Sequence, residues 1–422
     1  MPASPLLRSA EIIAVGSEML GTTRVDTNSL YAAGRLSALG IELRAKAVVG
    51  DDRADLASIF RQSLERADLV ILTGGLGPTD DDLTREVVAD VLGVPMRQDE
   101  RIVQAIEQRF ARRGLHMPAS NLRQAQVPEG ARVLANPRGT APGLLIEHHG
   151  KMIALLPGPP REMHPLLDEL CDGPVGARAG AERIYRASLF VAGRGESHVE
   201  EVVQPIYSKW RDQADPIVTT ILAAPGQIEL HLSTRDANAV LGRQRIDAAR
   251  DALAAALGED AFSTDGRSME QVVGAMLAER GYWIAAAESC TGGLLTSRLT
   301  DVPGSSAYVY GALVAYDNRV KVRDLQVPQE LLDRHGAVSE PVALAMLEGV
   351  FRASKVDVAV AITGIAGPGG GTEEKPVGTV AIAVAVPGKP PDVRTHRFMG
   401  DRSMIKFWAS QAAMDRVRRL LL

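Results

Sequence analysis

Cysteine is nearly missing from these 422 residues: Cys171 and Cys290 are the only two, far apart and with no metal-ligand spacing around either. That scarcity excludes a disulfide framework and a structural zinc site built on thiolates. Long apolar runs are missing too. No stretch approaches the roughly 20 residues that a helix needs to cross a bilayer, and residues 1–10 lack the apolar segment of a signal peptide. A cytoplasmic protein without membrane contact is the expectation. The third absence is a strong charge of one sign: 47 Lys plus Arg stand against 52 Asp plus Glu, a net charge of -5. No global field favours nucleic acid or a membrane surface, and small-molecule substrates suit this balance better.

What is present is enough chain for more than one core, because single cores rarely grow to 422 residues. Hydrophobic residues at 45% and charged residues at 23% are globular values. Apolar strands are expected at 11–15, 41–49, 69–72 and 151–156, and helices at 28–39, 53–67, 83–92 and 100–113. This alternation implies a largely parallel sheet with helices on both faces. Gly- and Pro-rich segments follow the strands, where ligands collect in open α/β sheets. Residues 173–181, rich in Gly, Ala and Arg, read as a linker. Strands at 183–191, 216–223 and 227–233 with helices at 196–206 and 240–257 make a small α+β module without a catalytic constellation. A boundary near 262–267 precedes a helix at 269–280 and strands at 282–287, 307–314 and 356–362, a further α/β domain. The expected domains are residues 1–172, 173–262 and 263–422.

In the last domain, AESCTGG follows a buried strand and opens a helix, which puts Ser289 near free amides and a positive dipole end that favour an anion. The plainer alternative is that Ser289 or Thr291 only caps the helix. Lys321, at the end of another apolar strand, can reach the same strand-end cleft. It activates a serine only if burial or neighbouring cations lower its pKa, and otherwise it is a solvated lysine. The glycine-dense loop that opens at Thr363 and Gly364 lets backbone approach a ligand closely. In order, AESCTGG, AYDNRVK, HGAVSE, AITGIAGPGGG, KPVGTV and GDR resemble the C-terminal domain of the CinA family of competence/damage-inducible proteins, the nicotinamide mononucleotide (NMN) deamidase family. The resemblance covers about residues 265–422. It implies a site of Ser289, Tyr316, Lys321 and Thr363 with Arg402, and amides near Gly292 and Gly293 that hold an anion. It further implies that Ser289 attacks the carboxamide with Lys321 as base, without a metal. Asp317 stands where the family more often has serine.

In the first domain, LTGGLGPTDDDLT places Gly74, Gly75 and Gly77 and then Asp80, Asp81 and Asp82 between a strand and a helix. Three adjacent carboxylates repel one another unless a cation joins them, so a hard divalent metal bridging to a pyrophosphate is the functional reading. A solvated acidic helix start is the plain one. With GSEMLGTTRVDTNS, NPRGTAPG and LPGPPREM, this segment resembles the N-terminal domain of the same family, of molybdopterin-binding-like fold, over about residues 10–172. The resemblance implies ADP-ribose pyrophosphatase activity with Mg, Mn or Co, contacts from Asn28 and Arg161, metal ligation by Glu18, Asp80, Asp81, Asp82 and Glu162, a KH-like middle module and a homodimer. The competing possibility is a module that binds a molybdopterin-like ligand without turnover. A DNA-associated role needs a basic surface, and the one concentrated basic stretch, Arg416, Arg418 and Arg419, reads as a helix face.

Overall fold

The computed structural model describes residues 5–213 and 215–422. Residues 1–4, the front of the segment expected to carry no signal peptide, lie outside them. The chain divides into two compact units, Met1–Tyr185 with Arg235–Gly242, and Arg186–Thr234 with Arg243–Leu422.

The first unit opens with β1 (Ser9–Val15), α1 (Asn28–Ala38), β2 (Glu42–Val49), α2 (Arg53–Arg66) and β3 (Leu69–Thr73), the expected alternation. It continues through α3 (Thr84–Leu92), β4 (Met96–Gln98), α4 (Glu100–Ala111), β5 (Gln126–Pro128), β6 (Arg132–Leu134), β7 (Gly143–His148), β8 (Lys151–Leu156), α5 (Pro160–Asp172) and α6 (Pro174–Ala177). The main sheet runs β2-β1-β3-β8-β7-β6. Its first four strands are parallel, while β7 and β6 turn antiparallel. Strand periodicity sorts the core: Ile13, Val15, Val70, Leu72, Ile153 and Leu155 face one cluster, and Ile12, Leu69, Ile71, Ala154 and Leu156 face the other. Both faces are covered, so β3 is buried throughout.

The expected parallel sheet holds for β2, β1, β3 and β8, with β7 and β6 added as an antiparallel edge. One expectation is corrected here. Residues 173–181 are not a free linker: Val175 is buried in the core, Leu7 bridges to Ala179, and buried Arg178 donates to the carbonyls of Pro5 and Gly150.

The small module consists of β9 (Arg183–Val191), α7 (Glu196–Tyr207), β10 (Val218–Ala224), β11 (Gln227–Asp236), α8 (Ala239–Leu257) and β12 (Ala261–Ser263), with sheet order β10-β11-β9-β12. Phe262, expected at a boundary, sits in this sheet.

The last region contains α9 (Met269–Arg280), β13 (Ile284–Glu288), α10 (Leu294–Thr300), β14 (Val309–Val314), α11 (Asn318–Leu325), α12 (Gln329–His335), α13 (Glu340–Ser354), β15 (Val358–Gly364), β16 (Thr379–Ala385), β17 (Asp392–Arg397) and α14 (Arg402–Leu421). Its sheet order is β14-β13-β15-β16-β17, parallel through the first three strands and antiparallel after them. One face carries Ile284, Val358, Val360, Ile362, Val380 and Ile382. The other is almost all alanine, Ala285, Ala287, Ala359, Ala361, Ala381 and Ala383, small enough to let α13 pack closely with Val342, Met346 and Val350. A capping box at Ser268 and Gln271 starts α9, and left-handed Gly281 ends it.

Candidate active sites

Sheet connectivity places both sites. From β13 the chain goes outward to β14 and returns on the other side as β15, so the strand order reverses between β13 and β15, where α/β sheets open a crevice at their carboxyl ends. Glu288 is level with both Val314 and Ile362, so the three strands end together. Ser289, Tyr316 and Thr363 therefore emerge side by side.

Lys321 lies in the first turns of α11, and its Nζ is 3.1 Å from Ser289 Oγ. The same amine donates to the carbonyls of Ala315 at 2.9 Å and Tyr316 at 3.2 Å. Lys321 is 1% exposed and Ser289 7%. Burial pushes the Lys321 pKa below the usual lysine value, and Asp317 and Cys290 only partly oppose this. The two carbonyls can take both hydrogens of a neutral amine, which leaves its lone pair for the serine proton. Cys290 also borders the cleft, but burial pushes its thiol up to about 12, so it stays protonated and is no rival nucleophile.

Thr363 Oγ1 donates to Ala337 O at 2.8 Å. Arg402, at the start of α14, donates to Gly367 O at 2.7 Å and to the Tyr316 hydroxyl at 2.9 Å, bracing the exposed tyrosine. These groups, with Gly364 and Asn318, line a cleft of about 170 Å³. Asn318 belongs to the motif yet was not among the expected site residues. Gly364 must be small, since a Cβ there would lie 2.7 Å from Val380. The departure at Asp317 is explained as well: its carboxylate caps α11 through Arg319 N at 2.8 Å, a role serine fills equally.

Gly292 and Gly293 need a correction. The Gly292 amide donates to Ser289 O, and the Gly293 amide to the Glu288 carboxylate at 3.0 Å. Glu288, fully buried, also accepts from the backbone N–H groups of Leu295 and Thr296 and from the Thr296 hydroxyl. The anion at this helix start is the protein's own carboxylate, so these amides are not free for a substrate. Neither Ser289 nor Thr291 caps the helix. A cation stands nearby instead: Lys406 Nζ is 3.7 Å from where a Cβ on Gly292 would lie. Nothing in the local sequence around Lys406 signals that placement.

In the first unit, the strand order reverses between β1 and β3, whose carboxyl ends lie level through Ala14 and Thr73. A cleft of about 480 Å³ opens there, and Glu18, Gly74, Gly75, Gly77, Asp81, Asp82, Arg161 and Glu162 all border it. Gly74 has φ +99° and no room for a Cβ, which would lie 2.2 Å from Val15 O. Asn28 stands behind the cleft, where its amide donates to Gly158 O at 2.6 Å. Arg109, Arg113 and Arg138, absent from the expected set, join Arg161 on the rim. Buried Arg85 braces the glycine loop through Leu76 O and Gly77 O.

The acidic run does not gather as a metal cage. Asp80 points to solvent and pairs with Arg123. Asp82 turns inward and accepts from the N–H groups of Gly77 at 2.7 Å and Thr79 at 2.9 Å, closing its own loop. Glu162 accepts from Asn136 at 2.9 Å. Among the described residues no group of three His, Cys, Asp or Glu side chains is placed to hold a metal ion. The sequence overstated the repulsion, because separate partners disperse these charges. Nor is any described helix long and apolar enough to cross a membrane.

Residues 11–175 match the domain family described as "Probable molybdopterin binding domain", and residues 266–421 match the one described as "CinA C-terminal domain". The class is thus a mixed α/β protein that joins a molybdopterin-binding-like domain to a CinA domain. A CinA-like protein of Koribacter versatilis is 45% identical over 98% of this chain and 100% of its own length. One of Solibacter usitatus is 43% identical over 97% of each. The crystal structure of the competence/damage inducible protein CihA from Agrobacterium tumefaciens matches 36% of this chain and 93% of that one at 37% identity, with a TM-score of 0.35. The chain belongs to the CinA family.

Proposed function

We propose that the C-terminal site hydrolyses the carboxamide of NMN, giving nicotinate mononucleotide and ammonia. The observation that carries this reading is buried Lys321 Nζ at 3.1 Å from Ser289 Oγ in a strand-end cleft. A cleft of about 170 Å³ suits a carboxamide-bearing ring better than a whole nucleotide. Ser289 Oγ attacks the amide carbon and its proton passes to Lys321 Nζ. The C–N bond then breaks, and ammonia leaves with the proton from Lys321. Water adds to the serine ester, giving one proton to Lys321, which returns it to Ser289 Oγ as the acid departs. Lys406, beside the serine loop, would receive the phosphate that the capped amides cannot.

For the N-terminal cleft the proposal is hydrolysis of ADP-ribose to AMP and ribose 5-phosphate. The guanidinium groups of Arg109, Arg113, Arg138 and Arg161 around a glycine loop suit a diphosphate. The acidic residues supply no preformed cage, so no part of this reading rests on a resident metal. The substrates NMN and ADP-ribose and the homodimer belong to the same proposal.

The test is to incubate the purified full chain with NMN and measure ammonia and acid, and separately with ADP-ribose, with and without Mg, and measure AMP. Equal amounts of ammonia and acid support the first reading, and their absence removes it. Nucleotide binding without AMP formation would make the N-terminal domain a binding module.

A further inference from the structure

The second unit holds a hollow that deamidation does not use. It has a volume of about 710 Å³, within the range of small-molecule sites, about 300–1,000 Å³. It shares no residue with the Ser289 cleft. Its walls are the edge strand β17, α14 from Trp408 onward, and two edges of the small module, at Arg194 after β9 and at the Gly226 turn between β10 and β11. Strand periodicity puts Asp392, Arg394, His396 and Phe398 on one side of β17, the side where Arg416 of α14 meets Asp392. The rings of His396 and Phe398 stack with centroids 5.4 Å apart and planes 4° from parallel. Burial and the guanidinium groups of Arg394 and Arg416 push the His396 pKa below the usual histidine value, with Asp392 opposing, so at neutral pH it is an uncharged ring. With Trp408 and Leu420 the stacked pair makes a largely aromatic wall.

Charge is spread unevenly over this surface. Toward the small module, Arg194, Arg418 and Arg419 are matched by Glu259, Asp260 and Asp415. At the β17 end, Arg394 and Arg416 share one carboxylate, Asp392, which leaves a net positive charge. Asp392 takes Nε and Nη2 of Arg416 and so fixes the guanidinium plane, while Nη1 has no partner among the described residues. An oriented cation beside an aromatic wall suits a planar ring that carries an anion. We propose that this hollow binds an aromatic mononucleotide, with the base on Trp408, His396 and Phe398 and the phosphate on Arg394 and Arg416. The volume is several times that of the Ser289 cleft, so base, sugar and phosphate fit together. The basic stretch of α14 thereby divides: Arg418 is buried against Asp415, and Arg416 faces the ligand. The ligand bears on the same helix whose first turns carry Arg402 and Lys406. Its binding is independent of turnover in either cleft.

Of the three tryptophans, Trp408 is the one that lines the hollow, so its fluorescence reports occupancy. The test is to titrate the full chain with AMP, UMP and adenosine while following tryptophan emission, and to repeat it on Trp408→Phe and Arg394→Glu. Arg394 is exposed on an edge strand, so its reversal leaves the core untouched, and circular dichroism verifies the fold of both variants. We expect AMP or UMP to quench the emission saturably, and the quenching to vanish in Trp408→Phe. Adenosine, which lacks the phosphate, should bind at least about tenfold more weakly than AMP, and Arg394→Glu should weaken the mononucleotide by a similar factor. The site is overturned if neither mononucleotide quenches, if the quenching persists in Trp408→Phe, or if a folded Arg394→Glu protein binds as tightly as the unsubstituted chain. Equal affinity for adenosine and AMP also overturns it, since the phosphate would then contribute nothing.

Discussion

Lys321 is nearly sealed from water, and its side chain must either shed its proton or hold a poorly solvated charge. Because its pKa is lowered chiefly by burial, the amine becomes neutral at a pH below that of an ordinary lysine. As base it works only when neutral, so kcat/KM for NMN should rise with pH and level off before the usual lysine value of 10.5. Asp317, held down to about 2 chiefly by Arg319, stays charged throughout and should add no step to that profile. A flat profile would remove the base role. Lys321→Arg should be inactive, since a guanidinium stays protonated. Cys290 leads to the opposite expectation: thiol alkylation should leave turnover intact, and rapid inactivation by iodoacetamide would contradict its burial. Lys406→Ala should raise KM for NMN about tenfold or more while leaving nicotinamide riboside unaffected, because the lost contact is to phosphate. Ser289, Tyr316, Lys321 and Thr363 are legible in sequence because the residue types and their order are unusual together. Lys406 is not, because its position depends on how α14 packs over a loop more than a hundred residues earlier.

At the scale of elements, the turn from β13 into α10 is held by one carboxylate. Glu288 satisfies three backbone donors and a hydroxyl from a fully buried position. Glu288→Ala leaves those donors without acceptors at about 1–3 kcal/mol each, so a loss of at least about 3 kcal/mol in urea unfolding is expected, with a milder loss for Glu288→Gln. A change below about 0.5 kcal/mol, ordinary for a surface site, would mean that water replaces the carboxylate. The four strands and four helices expected in the first unit came through from sequence within a few residues, because periodicity there is clean, whereas β4, β5, β6, α5 and α6 were not anticipated. The acidic run misled for a physical reason. Three consecutive side chains on a turn point in different directions, and sequence cannot show that Arg123 waits for Asp80 or that the Gly77 and Thr79 amides wait for Asp82. The antiparallel strands β7, β16 and β17 were also not anticipated. In the fully buried β16, TVAIAVA, both faces are apolar, so alternation is absent.

At the scale of the whole molecule, each cleft is built within its own compact unit. The two reactions should therefore separate: Asp81→Ala should affect only the ADP-ribose reaction. Loss of deamidation in that variant would point to a shared site. A fragment of residues 263–422 is a harsher test than the sequence suggests, because Arg419 pairs with Asp260 at 2.8 Å and buried Arg418 donates to Glu259 O at 2.6 Å. We expect this fragment to melt at a lower temperature than the full chain and still deamidate NMN. A folded but inactive fragment would contradict independence. The most direct measurement is ammonia release from NMN by the full chain, Ser289→Ala and Lys321→Arg, with circular dichroism confirming that all three are folded. The account predicts turnover by the first and a fall of about a thousandfold or more in the others. Substantial turnover by a folded Ser289→Ala protein would contradict it.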